Sequence, residues 1–529
     1  MTGGFDREQV LSMARALSDL LDAARTDLTS GPPSAVLQRM SDHLGVDART
    51  ASINGHHWQP WEHVSVHRGL QAHLAAMSPS ERWMGLPGGT MRVHTDLPSL
   101  LQMDKGTRVS NADYLLLPCS PTETQEVVSF GLICTAGQDG TPVVLALREV
   151  QLMGPSVISV EVIAANRADA ASFLAHLTKL IVDHDALRGQ VLSFAVNEHQ
   201  GNQLVSFLPR PGVLAGEVVL PADVLPAIEK HVAGPAEQAA RLRDLGIHLK
   251  RGLLLHGPPG TGKTHTVRYL LGRLADSTVV VLTGQGLMFI EQAAALARKL
   301  APSLVVVEDV DLIAQDRGFS PLGNPALFSL LDAMDGVAAD ADVTFILTTN
   351  RVEVLEEALT QRPGRIDLAV EIPRPDAAGR RRLIELYSGR AQLAADLEPV
   401  IAATEGATAS AIKELMRRAV LRAIEVEPRA DPPIVDDAVL TTVVAEFAAE
   451  AQSLSRALLG AGGESALQPS PVGPDGPEGF FAAGVRPARW PGRMPVAYSD
   501  FPPGGYDTGS FGAGDMGGLD TGGLDEGGS

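Results

Sequence analysis

Cysteine is scarce in this chain. Two thiols, Cys119 and Cys134, occur in 529 residues, without C-x-x-C spacing or any recognisable metal pattern. That excludes a disulfide framework and predicts a reduced interior in which both thiols sit in cores. Long apolar runs are absent too. None approaches the ~18 residues that a membrane-crossing helix needs, and no basic stretch followed by an apolar one opens the chain, so no signal peptide is expected and the expected compartment is the cytoplasm. Positive charge is deficient, at 43 Lys and Arg against 63 Asp and Glu, a formal net charge of −20. A chain so acidic is not expected to bind nucleic acid or anionic membrane in general. No H-E-x-x-H occurs, which excludes a fused zincin-type protease. His63 and His67 have the i, i+4 spacing of helical metal ligands, but no acid or cysteine at matching spacing joins them, so they read as ordinary polar histidines.

What is present is enough apolar residue, 45%, for real cores, in a length that predicts several domains. Residues 7–29 have helical periodicity, and a shorter helix is expected at about 34–44 after Gly31, Pro32 and Pro33. Apolar runs at 114–117, 127–134, 143–147 and 157–163 predict strands, 168–184 a helix, and 191–196 and 203–207 two further strands. Residues 1–207 are therefore expected to form an N-terminal α+β domain that selects a client or partner. Residues 208–375 are expected to hold lead-in helices (221–231 and 235–245) and then alternating strand and helix, with strands at 252–256, 278–283, 303–308, 343–348 and 368–372, the pattern of a doubly wound parallel sheet. Residues 376–455 read as a small helical domain. Residues 456–529 shift to Gly, Pro, Asp and Ser and read as a disordered tail with scattered aromatics. The expected fold class is thus α/β: a P-loop sheet with a C-terminal helical lid, an N-terminal α+β domain and a tail.

The chemistry concentrates at residues 257–264, Gly-Pro-Pro-Gly-Thr-Gly-Lys-Thr. They fit G-x-x-x-x-G-K-[ST] between an apolar strand and a helix, the setting in which that motif binds phosphate. Gly257, Pro258, Pro259, Gly260, Thr261, Gly262, Lys263, Thr264 and His265 are the candidate nucleotide-binding residues. Backbone N–H groups cradle the phosphates at a helix N-terminus, Lys263 reaches the β- and γ-phosphates, and Thr264 holds Mg²⁺. A second apolar run, 304–307, ends in Glu308 and Asp309. One carboxylate there can serve the metal (Glu308 with Thr264) and its neighbour can orient or deprotonate the attacking water.

With residues 307–311 (Val-Glu-Asp-Val-Asp), 330–336 (Leu-Leu-Asp-Ala-Met-Asp-Gly), 347–350 (Leu-Thr-Thr-Asn) and 361–367 (Gln-Arg-Pro-Gly-Arg-Ile-Asp) in place, the chain resembles the AAA ATPases over about 200 residues. The resemblance implies ATP and Mg²⁺, a water-orienting role for Asn350, and arginine fingers at Arg362 and Arg365 acting on the nucleotide of a neighbouring subunit. It therefore implies a ring homo-oligomer, usually a hexamer, that remodels, translocates or disassembles protein clients. Residues 406–412 resemble the family's lid segment near the adenine, with Thr408 expected to cap a helix; neither Arg417 nor Arg418 is assigned a sensor role. Two departures stand out. The acids run Glu308-Asp309 where the family has Asp-Glu, which places the shorter Asp309 in the catalytic slot. The pore-loop region at 282–291 is also short, so Met288, Phe289 and Ile290 form either an abbreviated loop or packing for a helix start. Both departures resemble the mitochondrial AAA subgroup that translocates the Rieske protein. The other reading open at this level is a nucleotide-gated scaffold or regulatory ring with weak hydrolysis.

Overall fold

The computed structural model describes residues 13, 16–20, 34–77, 82–86, 91–103, 109–151, 156–194, 205–311, 325–337, 341–353 and 365–458. Most of the helix expected at 7–29, Arg362, and the tail from 459 lie outside them. Residues up to 461 form one compact unit.

The N-terminal part is an antiparallel sheet of seven strands: β1 (Ser52–Trp58), β2 (Met84–Gly85), β3 (Ser110–Asn111), β4 (Asp113–Pro118), β5 (Thr124–Ala136), β6 (Pro142–Val150) and β7 (Val157–Ala164). Their order is β1-β7-β6-β5-β2-β3, with β4 also on β5. Near-continuous apolar runs mark β5, β6 and β7 because both of their faces are covered, and neighbouring residues point to opposite faces. Ile133, Leu145, Leu147 and Val160 pack under helices α1 (His63–Met77) and α2 (Arg167–Asp183), against Leu70, Phe173, Leu177 and Ile181. Leu132, Cys134, Val144 and Ala146 pack on the other face against Val36, Met40, Leu97 and Leu101, from the helices Ala35–Leu44 and Leu97–Met103. Both cysteines are buried and reduced.

The second sheet is mainly parallel: β8 (Val191–Phe194), β9 (Val205–Leu208), β10 (Arg251–His256), β11 (Thr278–Leu282), β12 (Ser303–Val307), β13 (Val343–Thr349) and β14 (Leu368–Glu371), in the order β14-β10-β13-β12-β11-β8-β9. The five strands β10 to β14 fall where the apolar runs predict them. One face packs on α3 (Val224–Glu237) and α4 (Lys263–Arg273) through Ile228, Val232, Val267 and Leu270. The other packs on α5 (Ile290–Lys299) and α6 (Pro325–Asp335) through Ile290, Ala293, Ala297, Leu330 and Met334.

The boundary expected at 207 falls inside this second sheet. β8 pairs parallel with β11, Val191 opposite Val279 and Phe194 opposite Leu282, and β9 returns antiparallel on β8. Both strands were expected in the N-terminal domain; they instead join the second sheet, where Phe194 meets Phe289 and Trp61. A charged cluster adds to the join. Lys299, at the end of α5, pairs with Glu62 and lies 3.4 Å from the fully buried carboxylate of Asp185. Asp185 accepts from Ser65 Oγ at 2.7 Å and from the Leu187 amide at 3.0 Å.

After β14 come α7 (Ala377–Tyr387), α8 (Glu398–Ala403), α9 (Ala409–Val426) and α10 (Asp437–Leu458). The region expected to be helical also carries a parallel pair of short strands, β15 (Gln392–Ala394) and β16 (Ile434–Asp436). Pairing beside the helices satisfies the backbone of two three-residue segments too short to show periodicity.

Candidate nucleotide-binding site

The loop 257–262 joins the buried strand β10 to α4. Gly257, Gly260 and Gly262 all have positive φ there, and the first and last show why glycine is needed. Gly262 has φ +113°, and a Cβ on it would meet nothing within 4 Å, so the left-handed backbone opens onto free space at the helix start. Gly257 has φ +137°, and a Cβ would sit 2.4 Å from the Ile372 carbonyl oxygen. Lys263 is buried. Its Nζ donates to the carbonyls of Gly257 (2.8 Å) and Pro258 (2.9 Å). Burial pushes its ammonium below the usual lysine range, against the pull of Asp309 and Asp311. His265, in the first turn, shares a hydrogen bond with the Glu217 carbonyl at 3.1 Å rather than facing the loop.

β12 leads straight to this lysine. Its neighbour Glu308 is half-buried; desolvation and then the charge of Asp309 raise its carboxyl, while Arg268 and a hydrogen bond with Thr264 oppose the rise. Thr264 and Glu308, the two expected metal ligands, are therefore in direct contact. That arrangement fits an ion that takes few protein ligands and keeps several waters. Among the described residues no group of three or more His, Cys, Asp or Glu side chains is arranged to hold a metal. His63 and His67 are buried under the N-terminal sheet, where His63 shares a hydrogen bond with the Val128 carbonyl at 2.7 Å.

Asn350 stands just beyond β13 and donates from Nδ2 to Asp309 Oδ1 at 3.2 Å. Its amide donates to Asp311 Oδ1 at 3.1 Å, and Thr349 Oγ1 donates to the same oxygen at 3.0 Å. Asp311 is buried, so it is a structural acceptor that fixes Asn350. Thr408 caps α9 by accepting from the Ala411 amide. The next residues of α9 reach the loop, with the Ser410 amide donating to the Gly260 carbonyl at 3.0 Å. A cavity of about 360 Å³ opens beside Thr261, lined by Val219, Leu220, Pro221, Arg374, Arg382 and Ala409 among others. Sequence reasoning had assigned neither the 219–221 segment nor Arg374, because only the folded chain brings them beside the loop.

Arg365 lies elsewhere. Its backbone carbonyl packs on Gly252, at the far end of β10 from Gly257, about 16 Å away at strand rise. Its side chain is buried and paired with Asp335, donating from Nε at 3.0 Å, with Asp332 at 3.9 Å. Its Nη1 has no hydrogen-bond partner among the described residues. The loop and Arg365 thus occupy opposite ends of one strand, so this arginine cannot serve its own chain's loop.

In the pore-loop region Leu287 and Ile290 are buried and Phe289 packs on Phe194, while Met288 is 68% exposed. Phe289 and Ile290 thus pack the helix start, while Met288 faces outward and does not.

The model of the ATPase family associated with various cellular activities (AAA) matches residues 253–374. The chain carries an AAA domain. A proteasome-activating nucleotidase of Methanocaldococcus jannaschii is 32% identical over 212 residues, 37% of this chain and 49% of that protein. One from Pyrococcus horikoshii is 30% identical over 231 residues, 41% and 58% of the two chains. ATP-dependent zinc metalloprotease FtsH 2 of Symbiobacterium thermophilum is 33% identical over 200 residues, 35% and 34%. The chain thus spans about half the length of the nucleotidases it matches and a third of the metalloprotease. The AAA domain occupies the part of the chain where loop, acids and Asn350 converge. Among the described residues no helix is long and apolar enough to cross a membrane.

Proposed function

We propose that this chain is an ATP hydrolase that works as a cytoplasmic ring of identical subunits and couples hydrolysis to remodelling, translocation or disassembly of protein clients. The observation that carries this reading is the convergence of Lys263, Thr264, Glu308, Asp309 and Asn350 at the ends of adjacent parallel strands. Three of these groups change partners when nucleotide binds. Lys263 leaves the two loop carbonyls for phosphate oxygens, and the loop amides donate to the same phosphates. Thr264 and Glu308 would hold Mg²⁺, which supplies charge neutralisation on the phosphates. Asp309 and Asn350 orient the water that attacks the γ-phosphorus, and Asp309 accepts its proton. The base and ribose occupy the cavity beside Thr261.

The far-end position of Arg365 supports a site completed by a neighbour: in a ring, Arg362, and Arg365 once released from Asp335, act on the nucleotide of the next subunit and neutralise charge developing on the transferred phosphoryl group. Hydrolysis then shifts α7–α10 against the sheet through the contact between Ser410 and Gly260. The N-terminal domain selects the client. The test is ATP turnover by the full chain and by Asp309→Asn. Turnover that falls at least tenfold in the variant supports the reading; negligible turnover in both would leave the nucleotide-gated scaffold instead.

A further inference from the structure

Asp309 is the one non-glycine residue with positive φ among the described residues, at +50°. A left-handed backbone costs most residues about 1–2 kcal/mol, and Asp less than most. Two contacts hold it, one from the end of β13 and one from the residue just beyond. The buried hydroxyl of Thr348 accepts from the Asp309 amide at 3.0 Å, and Asn350 Nδ2 donates to the Asp309 carboxylate at 3.2 Å. Residues two apart in an extended chain face the same side and lie about 6.6 Å apart, a span that lets one strand end grip both the backbone and the side chain of Asp309. The neighbouring Thr349 faces away and serves Asp311.

This clamp bears on the order of the acids. Asp309 is shorter than a glutamate by one methylene, about 1.5 Å of reach at a C–C bond. A glutamate reaches outward from an ordinary strand backbone; an aspartate has to turn its backbone to bring the carboxylate to Asn350. A net hydrogen bond contributes about 0.5–1.5 kcal/mol, the same size as the cost of the left-handed turn, so the Thr348 hydroxyl decides which backbone state Asp309 populates. We infer that Thr348 is a positioning residue for hydrolysis, holding Asp309 in the left-handed turn that compensates for its short side chain. The inference rests on the ATPase reading above.

The test uses the full chain and steady-state ATP turnover. Thr348→Val keeps the shape and removes the acceptor; Thr348→Ser keeps the acceptor. The expected result is a kcat about tenfold lower for Thr348→Val with KM for ATP within twofold of wild type, and a kcat for Thr348→Ser within twofold of wild type. In the double variant Thr348→Val with Asp309→Glu, the longer acid no longer needs the clamp, and kcat recovers at least threefold over Thr348→Val alone. A general packing defect would give no such recovery. Should Thr348→Val fail to fold, Thr348→Ala against Thr348→Ser decides on the same criterion. Wild-type turnover with an unchanged Thr348→Val, or equal losses in the Val and Ser variants, overturns the role of Thr348 and leaves the ATPase reading standing. Absence of turnover in the wild type overturns both.

Discussion

Removing the Asp185 carboxylate should destabilise the join between the N-terminal domain and the AAA domain more than any single apolar truncation on the surface of either. The group is fully buried, accepts two hydrogen bonds through Oδ1, and has Lys299 3.4 Å from Oδ2. Breaking a buried pair by deleting one partner costs about 3–5 kcal/mol. Lys299 keeps Glu62 and is 28% exposed, which moves the expectation to the low end, about 3 kcal/mol for Asp185→Ala. Asp185→Asn retains an acceptor for Ser65 and Leu187 and loses only the charge, so about 1–2 kcal/mol is expected. Urea unfolding of the full chain gives the ordering. Hydrogen exchange localises it, because the amides of Ala186 and Leu187 are bonded to Ser65 Oγ and Asp185 Oδ1 and should lose protection first. Asp185→Ala within about 0.5 kcal/mol of wild type, or unchanged exchange at those two amides, would refute the reasoning. The cluster would then be a solvated pair of the kind that contributes little.

Other outcomes are as definite. Lys263→Ala should weaken ATP binding at least a hundredfold, read by fluorescent-nucleotide titration, because the group that bridges loop and phosphate is gone. Arg365→Ala should abolish most turnover while nucleotide affinity stays within threefold; mixing it with Lys263→Ala subunits should restore part of the lost turnover, since each variant keeps the half-site the other lacks. No recovery on mixing would sink the shared site. Acid should destabilise the N-terminal domain through His67, whose imidazole is pushed down to about 4 by desolvation and then by His63. Its folded pKa lies below its unfolded value of about 6.5, so protons favour the unfolded chain; the contribution is complete above pH 6.5 and is lost as pH falls toward 4. At pH 5 that is about 2 kcal/mol, and His67→Gln should remove that part of the pH dependence in urea unfolding at pH 7 and pH 5.

The central strands, the P-loop, the acid pair and Asn350 were legible because each is a local pattern: an apolar run, a glycine spacing, a polar residue at a strand end. What escaped was set by partners far away in sequence. β8 and β9 read correctly as strands, but nothing in 191–208 says that Val191 pairs with Val279 rather than with an N-terminal strand. β1 escaped because Asn54, Gly55, His56 and His57 carry little strand propensity; it forms at a sheet edge against β7 alone. Thr348 looked like any residue of a buried strand until its hydroxyl was found on the Asp309 amide. The same holds for Arg374, which reaches the cavity beside Thr261 only after the sheet is wound.

The second sheet that runs through residue 207 has a practical consequence for anyone dissecting the chain. A fragment started at 208 would lack β8 and most of β9, leaving the flank of β11 as a raw edge open to pairing with other copies. Starting near 185 keeps both strands but deprives Lys299 of Glu62 and Asp185 of Ser65. The front half therefore cannot be swapped for another domain as an independent cassette. Chimeras that respect the sheet must carry the segment from about 185 onward with the AAA domain, and must replace Lys299 together with the residues it meets.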